Sequence, residues 1–252
     1  MHVDLVIPLI NERGFFMSNI KSRNEYSQKI KKIVVAAVFC ALAFASMFIM
    51  RINVMFLTFD VKDAVVTIAG LLLGPIYSLA ISVSVSVIES ITVGDTGIWG
   101  FLMDILSTTV FSCTCALIYK YQKNIKGATI GLASSVLAMT AVMLLFNLFI
   151  TPIYMGVNTS DVVAMIPTIL LPFNLTKATL NAALVLILYK PASTALKSTK
   201  VLPSNNTNEI DGSQAKKNLK FSLVVTVVGI IIAAICFFVF FVLLHGNISF
   251  GK

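Results

Sequence analysis

Histidine is nearly missing from this chain. The two present, His2 and His245, lie one near each end of 252 residues. A membrane hydrolase needs a nucleophile with a buried base, and neither histidine is placed to be one. Charge is scarce too, at 12% of residues, about half the ~25% usual for a soluble domain. Only four cysteines occur, Cys40, Cys113, Cys115 and Cys236, all inside apolar runs, where they read as small packing residues. Cys113 and Cys115 are two apart and point to different faces of one helix, which is poor metal-ligand spacing. No phosphate-cradling GxxxxGK[ST] loop occurs, so any ATP-driven work falls to another chain. These absences argue against a disulfide scaffold, a disordered chain, a metal centre, a catalytic residue set and an ATPase.

Apolar residues, in contrast, make up 58% of the chain, and the mean hydropathy is +0.93. A helix crossing a membrane uses about 20 apolar residues. The expected fold class is therefore all-α: a polytopic membrane helical bundle with a six-span body and a seventh C-terminal transmembrane helix. The spans fall at 33–50, 61–74 (short, ending at Gly74-Pro75), 76–92, 98–119, 128–154 and 163–189. Pro152 lies within the fifth, and Pro167 and Pro172 within the sixth. The organisation reads as a basic N-terminal segment 1–32, a membrane domain 33–190, a polar linker 191–219 and an extra helix 220–245 whose apolar run is 220–244. Met17 reads as a more natural start than Met1, with residues 1–16 an overcalled start or a loosely attached segment.

Cation placement gives an orientation. With the N-terminus cytoplasmic, 15 of the 19 Lys and Arg residues fall in 1–32, 120–127 and 190–220. Arg51, Lys62 and Lys252 fall outside, and Lys177 lies within the sixth span. That bias places the N-terminus inside by the positive-inside rule, in a prokaryotic cell membrane. The net charge of +8 is thus a topology signal, and nothing points to nucleic acid.

Polar residues inside spans are costly and usually face a cavity or a partner. Asn174, Lys177 and Asn181 fall at i, i+3 and i+7, on one helix face, just after Pro172. Asn147, Thr151 and Tyr154 form a similar face on the fifth span. Two such stripes on consecutive helices can line one pocket. Asn181 reads as an interhelical hydrogen-bonding residue. Lys177 reads as a site residue, since a buried ammonium needs a reason. Glu89 and Asp104 read as snorkelling or capping groups near span ends, or as partners of Lys177. The loop 51–60, RINVMFLTFD, is apolar for an exposed segment. It reads either as a lid over a cavity mouth or as an interfacial anchor, with Asp60 or Asp63 capping the next helix. Ala37, Ala41 and Ala45, spaced by four, let another helix approach closely. That helix belongs either to this chain or to a partner.

The stretches FLTFDVKDAVVTIAGLLLGPIYSLAIS, NLFITPIYMG and PFNLTKATLN resemble the S components of energy-coupling factor (ECF) vitamin transporters, most of all their riboflavin-specific branch. The resemblance covers about residues 30–192. It implies a six-helix substrate-binding subunit in which the loop after helix one, with Phe56, Leu57 and Thr58, closes over the vitamin. It also implies flavin contacts at Asn147, Asn174 and Lys177. Docking of a coupling subunit would use Ala37, Ala41 and Ala45. Its partners would be a transmembrane coupling (T) component, two ATPase subunits and the lipid bilayer. Riboflavin would be the transported ligand, with no resident cofactor. Thr58, Thr151 and Tyr154 are candidates for the ribityl hydroxyls. An apolar pocket with a few amides and one cation suits a flat ring with a polar edge.

Other readings remain. The same body serves other vitamins or precursors, and a flavin nucleotide could meet Arg51 or Lys62 at the pocket mouth. An intramembrane enzyme would need a nucleophile–base pair or a metal set, which the spans lack. A purely structural membrane anchor would not need Lys177 on a shared polar face.

Overall fold

The computed structural model describes residues 6–54, 57–93 and 97–198, and beyond them only 227, 231, 234, 235, 238, 249 and 250. Seven helices carry the described fold. They are α1 (Val6–Ile49), α2 (Lys62–Leu73), α3 (Pro75–Thr92), α4 (Gly97–Tyr121), α5 (Ile125–Met155), α6 (Thr159–Met165) and α7 (Leu171–Ser198). A π-helical stretch, Ile166–Leu170, joins α6 to α7.

Five of these segments are long and apolar enough to cross a membrane: Tyr26–Ile49, Pro75–Thr92, Gly97–Tyr121, Lys126–Met155 and Thr159–Ser193. The chain is a multi-pass membrane protein. The second span is short, as its sequence implied. With 12 residues α2 rises about 18 Å at 1.5 Å per residue, well short of a ~30 Å hydrocarbon core. It is nearly all buried, enclosed by α1, α3, α4 and α7. α1 runs without a break from Val6 through the basic N-terminal segment into the first span. α7 likewise continues past Pro191 to Ser198. The apolar run 220–244 lies outside the described residues apart from five isolated helical positions.

Prolines explain the broken sixth span. Pro167 and Pro172 each lack a backbone N–H, and the helix widens by one residue per turn between them. Pro152 is tolerated in the last turns of α5, which ends at Gly156 in a left-handed conformation, φ 66°.

Segment 51–60 is more ordered than a loop. It forms an antiparallel hairpin of β1 (Arg51–Val54) and β2 (Leu57–Asp60), in register from Arg51↔Asp60 to Val54↔Leu57. A third short strand, β3 (Ser249–Phe250), pairs with β1. The alternation of Leu57 and Phe59 buries one hairpin face against Leu170, Phe173 and Leu180. The Phe59 and Phe173 rings meet edge to face at 6.4 Å. A larger core, with Phe39, Val66, Val85, Phe111, Met139 and Val185, holds α1 to α5 and α7 together. Exposed apolar side chains such as Val38, Leu42, Leu137 and Phe149 cover the faces that hydrocarbon would meet.

Candidate functional site

The hairpin joins the C-terminal end of α1 to the N-terminal end of α2. The C-terminal ends of α3 and α5 and the N-terminal ends of α4 and α7 gather beside it. A cavity sits there, in which about 120 Å³ is open to the centre of a water molecule. Its walls come from the hairpin, α3, α4, α5 and α7.

Both polar stripes reach it. Asn147, Thr151 and Tyr154 line it from α5, and Asn174 and Lys177 from α7. Leu57 and Thr58 line it from β2, while Phe56 lies outside the described residues. The Asn147 amide donates to the Met143 carbonyl and accepts from the Thr151 hydroxyl at 2.8 Å. The Asn174 amide nitrogen donates to the Leu170 carbonyl in the π-helical stretch. Each side chain is thereby held by its own helix, with further hydrogen-bonding capacity at the amide. Asn181, four residues beyond Lys177 on the same α7 face, is absent from the walls. It accepts from the Ala64 backbone N–H at 2.9 Å and donates to the carbonyls of Asp60 and Lys177. Its work is to fasten α7 to the start of α2.

Lys177 does have an internal partner, but a different one from those expected. Its ammonium donates to Asp60 at 2.9 Å and to the Thr58 carbonyl at 3.2 Å, both on the hairpin. Glu89 and Asp104 belong instead to Lys62, whose ammonium contacts both carboxylates. Lys62 is therefore no outer-loop cation. It is fully buried at the first position of α2, and it ties α2 to α3 and α4. Arg51 is likewise drawn in, 3.7 Å from Glu89 and donating to the Val93 carbonyl. It remains on the cavity wall, and its Nη1 has no hydrogen-bond partner. Of the two capping candidates, Asp60 accepts the Lys62 backbone N–H at 3.2 Å, whereas Asp63 turns to the Thr108 hydroxyl at 2.7 Å. Burial alone would raise the Asp60 carboxyl. The Lys177 and Lys62 ammonium groups outweigh that effect and hold it below the usual carboxylate range.

Several wall residues were not expected in the pocket, Glu89 and Asp104 having been read as span-end groups or partners of Lys177. Ser86, Ser90 and Glu89 come from α3; Trp99, Phe101, Asp104 and Ser107 from α4; and Phe173 from α7. Two of them carried a usable signal. Trp99 is the single tryptophan of the chain, and Phe173 immediately precedes Asn174. The serine positions carried none, because serine is equally common in helix packing seams.

Ala37, Ala41 and Ala45 lie together on the exposed face of α1, and among the described residues no helix covers them. Cys115 is buried, Cys40 and Cys113 are half-buried, and Cys236 lies outside the described residues.

Residues 31–189 match the family model of the ECF transporter substrate-specific component. The chain belongs to that family. As an S component it is a transport subunit rather than an enzyme. It is 28% identical over 181 residues to the riboflavin transporter FmnP of Bacillus subtilis (strain 168), a match covering 65% of this chain and 94% of that protein. The solved structure titled "Structure and mechanism of the S component of a bacterial ECF transporter" superposes with a TM-score of 0.57 at 22% identity. That match covers 67% of this chain and 99% of the other, and it shows the S-component fold.

Proposed function

We propose that this S component binds riboflavin in the cavity at the hairpin end, and that uptake is driven by a T component and two ATPase subunits. The observation that carries the reading is the composition of the walls. Asn147, Asn174 and Lys177 gather on one side, and Trp99, Phe101, Phe173 and Met143 supply flat or pliable apolar surface. An isoalloxazine ring has that division: two apolar faces and an edge of carbonyls and ring nitrogens. Amides donate and accept along such an edge. The resemblance to a riboflavin transporter supports the same ligand. Thr58, Thr151 and Tyr154 are the proposed partners of the ribityl chain. Ala37, Ala41 and Ala45, exposed and small, are the proposed docking face for the T component. The exposed Lys29, Lys31, Lys120, Lys123, Lys126 and Lys190 belong to the end away from the hairpin. That supports a cytoplasmic N-terminus and a hairpin facing outward.

A second reading, flavin nucleotide, has one observation in its favour. Lys62 is closed off, but Arg51 lines the cavity, and its Nη1, 3.7 Å from Glu89, has no hydrogen-bond partner.

The test uses Trp99 as an internal probe. Riboflavin titrated into the purified chain should quench its emission stoichiometrically. Asn174→Ala should weaken binding by about 10- to 100-fold, the loss of one buried hydrogen bond of about 1.5–3 kcal/mol. Unchanged Trp99 emission at saturating riboflavin overturns the proposal. Tighter quenching by the nucleotide than by riboflavin selects the second reading.

A further inference from the structure

The buried charges at the hairpin end do not balance. Three cations, Arg51, Lys62 and Lys177, face four carboxylates, Asp60, Asp63, Glu89 and Asp104. They come from β1, β2, α2, α3, α4 and α7. Among the described residues, α1, α5 and α6 add no charged side chain to the group. The acidic residue of α6, Asp161, is exposed and accepts from its own N-cap backbone.

Three of the carboxylates are matched. Asp60 receives Lys177 and the Lys62 backbone N–H. Glu89 receives Lys62, with Arg51 nearby. Asp104 receives Lys62 and the Ser86 hydroxyl. Asp63 is different. It is 1% exposed, its Oδ1 accepts only from the Thr108 hydroxyl, and its Oδ2 has no hydrogen-bond partner. The Lys177 ammonium stands 4.0 Å from that oxygen, engaged by Asp60. Burying a carboxylate whose oxygen lacks a hydrogen bond and whose one near cation is shared with a second carboxylate costs more than burying a neutral carboxyl. The N-terminus of α2 favours the ion, but by only about 0.3–1 kcal/mol.

We propose that Asp63 is a proton-binding site coupled to the hairpin. It holds one proton while Lys177 is engaged by Asp60. When the hairpin withdraws Asp60, the Lys177 ammonium turns to Asp63, whose carboxyl O–H releases its proton to the water that the opened hairpin end admits. Lys177 remains an ammonium throughout, and no other bond changes. Asp63 is thus a positioning residue for the hairpin. Raising the pH favours the withdrawn state, by up to about tenfold per pH unit for one proton. The argument is independent of what the cavity carries.

Infrared spectroscopy of the full chain in detergent at neutral pH, in H2O and D2O, reads the site directly. The expected result is a deuterium-sensitive carbonyl band of a protonated carboxylic acid. It should vanish in Asp63→Asn, return in Asp63→Glu and persist in Glu89→Gln. A wild-type spectrum without the band overturns the proposal, as does a band that survives Asp63→Asn or is lost in Glu89→Gln. Thermal unfolding gives an independent check. Asp63→Asn replaces one neutral group by another, so its midpoint should stay at the wild-type value while that of Asp60→Asn falls. A Asp63→Asn chain that does not fold shows that the ion was required, and this also overturns the proposal.

Discussion

The two ends of the bundle are built on different physics. At the hairpin end, seven charged side chains, a cavity and a π-helical stretch meet within a few turns. At the other end the helices are held by close contact and neutral hydrogen bonds. Gly70 of α2 lies so near α3 and α4 that an added Cβ would come within 2.8 Å of the Ser78 hydroxyl and 3.1 Å of the Ala116 methyl. Gly131 of α5 approaches the Cys115 carbonyl of α4 in the same way. The Tyr119 and Tyr189 hydroxyls bond to each other between α4 and α7. The difference teaches where a helical membrane protein keeps its adjustable parts. Close packing has one solution and holds the frame. Ion pairs with more than one available partner can be exchanged, and here they sit beside the cavity.

The comparison can be broken most severely at Lys62. Lys62→Met leaves Glu89 and Asp104 facing each other without their shared cation. The expected loss is about 3–5 kcal/mol, the cost of removing one partner from a buried ion pair. Thermal unfolding in detergent should show it as a large drop in midpoint or as failure to accumulate. A near-wild-type midpoint would mean that the hairpin end does not depend on its charges. At the opposite end, Gly70→Val should cost about 1–3 kcal/mol by overpacking, and it should leave ligand binding intact in the fraction that folds. Loss of binding without loss of stability would mean that the two ends are not separable. The smallest effect is expected for Tyr119→Phe, which removes one neutral hydrogen bond worth about 0.5–1.5 kcal/mol. Its midpoint should fall slightly, with ligand binding unchanged.

Much of the fold was legible from apolar periodicity and from proline. The long spans stand where their hydropathy put them, and the π-helical break contains the first of the two prolines in the sixth span and ends just before the second. The stripes on α5 and α7 converge on one cavity because i, i+3 and i+7 spacing fixes a helix face whatever the tertiary structure does. The hairpin was not legible as strands. Four residues per strand give too little alternation, and their burial depends on Leu170 and Phe173, more than a hundred residues away. Lys62 was misread for a related reason. A lysine next to a span boundary looks like a loop cation until its carboxylates, on two other helices, are seen.

The sequence by itself determined that this chain lives in a membrane, where its long apolar helices lie and which of their faces are polar. Those properties depend on composition and on the 3.6-residue period, and both are local. Only the tertiary structure decided which cation meets which carboxylate. Lys62 takes Glu89 and Asp104, Lys177 takes Asp60, and Asp63 is left over. Ion pairing depends on distances of a few ångströms between residues 27 to 117 positions apart, and no linear pattern encodes such distances.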